Sequence, residues 1–186
     1  MEHQLEKEPS LRFLAISGSL RAASSNTALL RAAIALAPRD IEITLLDMLG
    51  ELPHFNPDLD GADAPPSVVD FRTRLRACDA VLICSPEYAH GVPGTLKNAL
   101  DWIVGSGELM EKPVALISAS RSAHAPASLR ETLGVMMADV NADASITILP
   151  GSNKLDDAAI MANPEWADAL RGAVDALARA VESHRA

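Results

Sequence analysis

The fold of this chain is constrained above all by an alternation. Short β-branched runs take turns with longer stretches rich in alanine and leucine, five of each. The runs at 11–17, 41–47, 80–84, 113–118 and 145–149 read as strands. The stretches at 25–37, 67–77, 94–104, 124–140 and 164–182 read as helices. Pro38 stops the first helix, and Asn163 stands where it can cap the last. Val68, Phe71 and Leu75 recur on one face of the second helix, and Leu129, Leu133, Met136 and Met137 mark the core side of the fourth. The run at 80–84, AVLIC, is too short for an average helix and apolar throughout, as a strand covered on both faces must be. The alternation predicts parallel βαβ units with helices on both faces and right-handed crossovers. Segment 48–66 is broken by Pro53, Pro57, Gly61, Pro65 and Pro66 and reads as a surface excursion. Residues 1–10 are polar and charged and read as a flexible leader, which leaves 11–186 as a single domain.

Composition narrows the functions. With 48% hydrophobic and only 3% aromatic residues, the core rests on Ala, Leu, Val and Ile, and a base-stacking platform is excluded. A net charge of −9 leaves no basic footprint for nucleic acid. A small anion is still bindable, because a few backbone N–H groups suffice to hold phosphate. Cys78 and Cys84 make neither a disulfide framework nor a metal array, and they favour a reducing compartment. No apolar run approaches the roughly 18 residues of a membrane helix, so no membrane insertion and a cytoplasmic location are expected.

Ligands of parallel α/β sheets lie beyond the carboxyl ends of the strands, which directs attention to the loops beginning at Gly18, Ser85 and Ala119. The first, GSLRAASSNT, offers hydroxyls at Ser19, Ser24, Ser25 and Thr27, an amide at Asn26 and a charge at Arg21. With the N–H groups of the following helix it can cradle a phosphate, or it can be an ordinary turn and cap. It is not GxGxxG, GxxxxGK[ST] or GxSxG. The second loop is shaped by Pro86, Gly91, Pro93 and Gly94 and carries Glu87, Tyr88 and His90. It suits the edge of an organic heteroaromatic ligand, or else Tyr88 only packs against the connection. Lys97 follows on the next helix as a solvated charge or an anion contact. The third loop presents Ser118, Ser120 and Arg121, for a ligand or for a helix cap. His3, His54, His90, His124 and His184 are dispersed, and no metal site and no nucleophile–base triad is expected.

Two of these segments together resemble one family. GSLRxxSxN from Gly18 is similar to the flavin-phosphate motif of the NAD(P)H-dependent FMN reductases. PEYxxxVPGxLKNAxDW from Pro86 is similar to the same family's isoalloxazine-binding segment. The family includes bacterial quinone, azo-dye and chromate reductases. The resemblance implies a flavodoxin-like three-layer α/β sandwich around a five-stranded parallel sheet of order 2-1-3-4-5. It places Ser19, Arg21, Ser25, Asn26 and Thr27 at the FMN phosphate and Pro86, Glu87, Tyr88, His90 and Gly91 beside the ring. Ser118, Ser120 and Arg121 would meet the ribityl chain or a flavin carbonyl. His90 departs from the other polar residues common there, and Ser120, Arg121, Ser122 and Ala123 replace a more glycine-rich stretch. The implied enzyme takes hydride from NADH or NADPH onto FMN and passes two electrons to a quinone or similar small acceptor in a ping-pong cycle. It needs no protein nucleophile. The resemblance also implies a homodimer or homotetramer. The alternatives are a flavin-binding electron carrier or redox-responsive protein without NAD(P)H turnover, and a nucleoside hydrolase or transferase using Glu87.

Overall fold

Strand β1, Leu11–Ser17, is buried everywhere except Arg12, which makes it the centre of a sheet rather than an edge. The computed structural model describes residues 10–149 and 156–185, so the leader expected over 1–10 lies, but for Ser10, outside the described residues. β1 pairs in parallel with β2, Ile41–Leu46, on one side and β3, Ala80–Cys84, on the other. β3 pairs with β4, Pro113–Ser118. The fifth position is filled by two short segments, β5 (Asp139–Val140) and β6 (Ile146–Thr147), both parallel to β4. The order is therefore 2-1-3-4-5, the doubly wound flavodoxin-like order.

Alternation along the strands builds two cores. Phe13 and Ala15 of β1, with Ala80, Leu82 and Cys84 of β3, face α1 (Ser25–Leu36), α5 (Asp157–Ala162) and α6 (Pro164–Arg185). Leu14, Ile16, Val81 and Ile83 face α2 (Pro66–Ala77), α3 (Gly94–Val104) and α4 (His124–Val135). The result is the three-layer sandwich. Asn163 does cap α6, accepting from the Trp166 N–H at 3.2 Å.

Besides the short helix α5, which was not expected and which Asp156 caps by accepting from the Ala159 N–H at 2.9 Å, three elements differ from the expectation, each for a local reason. The helix expected to run to residue 140 stops at Val135. Met137 takes a left-handed φ of 57°, and the Ala138 N–H reaches back to the Leu133 carbonyl at 3.0 Å, a cap usually built on glycine. The chain is thereby released five residues early to form β5. The strand expected at 145–149 shrinks to two residues because a turn precedes it. The Asn141 side chain accepts from the Ala144 N–H at 2.8 Å, and the Ser145 hydroxyl takes the place of a strand carbonyl by accepting from the Leu116 N–H at 3.1 Å. Finally, the excursion at 48–66 is not wholly superficial. Met48, Leu49 and Leu52 are buried, and the Pro53 carbonyl accepts from Asn98 Nδ2 at 2.9 Å and Trp102 Nε1 at 2.8 Å. Arg72 of α2, also buried, donates to the Trp102 carbonyl and pairs with Asp60. Asn98 and Trp102, which belong to the second motif, thus clamp the excursion onto α3.

Candidate functional site

The three loops singled out above meet. A cavity of about 250 Å³ lies beyond the carboxyl ends of β1, β3 and β4, lined by Ser19, Arg21, Ser24, Ser25, Asn26, Ser85, Pro86, Glu87, Tyr88, Ala119 and Ser120. Gly18 allows the first two loops to approach. Its N–H donates to the Cys84 carbonyl at 2.9 Å, and a Cβ there would lie 2.7 Å from Ser85 Oγ.

One wall is the start of α1. Ser24 is the N-cap, its hydroxyl accepting from the Thr27 N–H at 3.5 Å. The first turn of α1 holds no acidic side chain of its own to compete for the positive end of the helix. Ser25 is 9% exposed, and its Oγ has no hydrogen-bond partner. A buried hydroxyl left unpaired is costly, and here it sits beside free first-turn N–H groups at the edge of a cavity. This donor set fits an anion such as the phosphate of FMN. Ser19 Oγ accepts from the Arg21 N–H at 3.3 Å and folds the loop over the same space.

The opposite wall is the loop after β3. Tyr88 and Gly91 exchange hydrogen bonds of 2.9 and 3.0 Å around a two-residue turn. Both central residues, Ala89 and His90, have positive φ, 49° and 61°. That is the type I′ geometry, which Asn and Gly adopt more easily. The turn is braced from α4. His90 stacks on His124 with ring centroids 4.1 Å apart, and Glu87 Oε2 accepts from the Ala125 N–H at 3.0 Å. The Ser122 hydroxyl bond, then the Ala125 N–H, with His124 and His90 adding to them, hold the Glu87 carboxyl below its ordinary range. A carboxylate so engaged is a structural clasp rather than a free nucleophile. Tyr88 is 54% exposed and Leu20 60%, so apolar surface remains open on both loops.

The remaining sequence candidates lie around the cavity rather than on its lining. Thr27 turns inward and shares a hydrogen bond of 2.8 Å with the Ser17 hydroxyl. Gly91 closes the turn, and His90 is taken up by His124. Ser118 Oγ donates to the Ser120 carbonyl at 3.1 Å, and Arg121 is exposed. Lys97 pairs with Asp101 at 2.6 Å. Ser85 and Ala119 line the cavity but were not singled out as candidates. Each is the first residue after a strand, a position that the strand-end rule alone points to. Among the described residues no group of three or more His, Cys, Asp or Glu side chains is placed to hold a metal ion, and no helix is long and apolar enough to cross a membrane.

Comparison with known proteins agrees with this geometry. The sequence pattern of the NADPH-dependent FMN reductases matches residues 11–148. The chain is 42% identical over 129 residues to an NAD(P)H-dependent FMN reductase of Pseudomonas aeruginosa, covering 66% of this chain and 69% of that protein. It is 41% identical over 123 residues to an NADPH:quinone oxidoreductase of Arabidopsis thaliana, covering 63% of this chain and 62% of the plant protein. Among solved structures, a flavoenzyme NAD(P)H:acceptor oxidoreductase of Paracoccus denitrificans superposes with a TM-score of 0.75 at 32% identity, covering 94% of this chain and 98% of that one. A motif-bearing cavity at the strand ends, the 2-1-3-4-5 sheet and these likenesses converge: the chain belongs to the NADPH-dependent FMN reductase family.

Proposed function

We propose that residues 11–186 form one FMN-binding domain that passes electrons from NADH or NADPH to a quinone or similar small acceptor. The observation that carries this reading is the unpartnered Ser25 hydroxyl at the start of α1, on a cavity that three strand-end loops share. Ser19, Arg21, Ser25 and Asn26 hold the phosphate, with Thr27 fixing the turn from below. Pro86, Glu87, Tyr88, His90 and Gly91 form the loop at the ring edge, and Ser118, Ser120 and Arg121 the third side. FMN, when bound, supplies the hydride acceptance and two-electron donation that no side chain provides. The chain's own residues bind, orient and exclude water. Backbone N–H groups of the 85–91 loop offer donors to electron density at the ring edge.

The exposed Tyr88 leaves room for a second planar reactant, so nicotinamide and acceptor take turns at one place in a ping-pong cycle. The names of the relatives, FMN reductase and NADPH:quinone oxidoreductase, support this donor and acceptor. The exposed Leu20 and Tyr88 beside the cavity support a homodimer whose second copy helps wall the ring site. A cytoplasmic location fits two free, buried cysteines. Titration calorimetry with FMN and with riboflavin tests the phosphate cradle. FMN is expected to bind at least about tenfold more tightly, the worth of a charge-assisted hydrogen bond or more. Equal affinities, or no binding of either, would overturn the reading.

A further inference from the structure

Beneath the cavity, two strand ends meet two successive side chains of one helical turn. Ser17 and Cys84 end β1 and β3 and are register partners in the sheet. Strand alternation turns both toward α1. Ser17 engages the Thr27 hydroxyl at 2.8 Å, and Cys84 Sγ donates to Asn26 Oδ1 at 3.3 Å. Asn26 is the residue of this pair that lines the cavity.

A carboxamide carries its acceptor and its donors on opposite sides of one plane. With Oδ1 taken from below by the sulfur, the NH₂ group is turned away from Cys84. Rotating the amide by half a turn would replace this S–H···O bond with an N–H···S contact to a poor acceptor and turn Oδ1, not NH₂, toward the cavity. We propose that Cys84 is a positioning residue, whose thiol orients the Asn26 carboxamide so that its NH₂ donates to the ligand phosphate. The inference rests on the FMN reading. Cys84 has no exposed surface, and burial pushes its thiol well above the ordinary range, so it keeps the proton that it donates. The same burial removes it from nucleophilic or redox chemistry. Nothing in the two sequence motifs includes position 84.

The test is calorimetry of the full chain with FMN and riboflavin, on Cys84→Ala, Cys84→Val, Cys84→Ser, Asn26→Ala, Asn26→Asp and the Cys84→Ala/Asn26→Ala double variant. Cys84→Ala and Cys84→Val are expected to bind FMN about three- to tenfold more weakly, the worth of one hydrogen bond, with riboflavin affinity unchanged. Cys84→Ser, which keeps a donor, restores most of the loss. In the Asn26→Ala background Cys84→Ala adds no further loss. Unchanged FMN affinity in both Cys84→Ala and Cys84→Val, an equal loss for riboflavin, or a full extra loss in the double variant would each overturn the proposal. Asn26→Asp keeps the acceptor for Cys84 and removes the NH₂, so FMN affinity equal to that of the unaltered chain would overturn it whether or not the position-84 variants fold. If the unaltered chain binds FMN and riboflavin alike, the FMN reading itself fails. If the unaltered chain discriminates and the position-84 variants discriminate equally well, only the positioning role does.

Discussion

A hydroxyl buried without a partner costs a folded protein free energy, and Ser25 at the start of α1 carries one. Ser25→Ala therefore has opposite effects on two quantities. The ligand-free protein is expected to gain about 1 kcal/mol in denaturant unfolding, while FMN binds about tenfold more weakly. Lost stability together with unchanged FMN affinity would show that the hydroxyl faces no ligand. At this scale the sequence was informative but incomplete. A strand followed by a glycine and a run of hydroxyl residues is visible in one dimension, and it pointed to Ser19, Ser25 and Asn26. It could not separate Asn26 from Thr27. Successive helical residues diverge by about 100°, so one lines the cavity and the next turns down to Ser17. Nor could it show that Cys84, a plain apolar strand residue by pattern, ends beneath Asn26.

Between elements, the loop after β3 is held in a conformation its residues do not favour. Ala89 and His90 pay for left-handed backbone, and the brace comes from α4 through the His90–His124 stack and the Glu87 clasp. Because the folded Glu87 carboxyl is held below its ordinary value of 4.5, the clasp contributes fully above about that pH. It is lost as acidification passes through the lower, folded value. An NMR titration of the Ala125 amide is expected to show a midpoint below the ordinary glutamate range, and Glu87→Gln to abolish that transition. A midpoint at the ordinary value would mean that the clasp does not form. The type of most elements was legible from hydrophobic periodicity. The end of α4 was not, because Leu133, Met136 and Met137 continue the helical pattern past a stop made by a methionine rather than a glycine. The role of the LKNALDW stretch was hidden as well. Asn98 and Trp102 serve the excursion around Pro53, a contact 45 or more residues away in the chain.

For the whole molecule, the parallel sheet explains why the site lies where it does. Strand order 2-1-3-4-5 brings the ends of β1, β3 and β4 side by side, so loops far apart in sequence share one cavity. With a net charge of −9, the phosphate binding proposed there rests on local dipoles and hydroxyls, not on bulk charge. The proposed order of reaction, two reactants in turn at one cofactor, is a claim about this whole assembly. The most direct measurement is anaerobic rapid mixing of the FMN-loaded protein with NADH or NADPH alone, followed by a quinone. The flavin absorbance is predicted to bleach with a nicotinamide before any acceptor is present and to return when the quinone is added. Absorbance that stays unbleached with both nicotinamides, while the protein still exchanges electrons with another redox protein, would contradict the account.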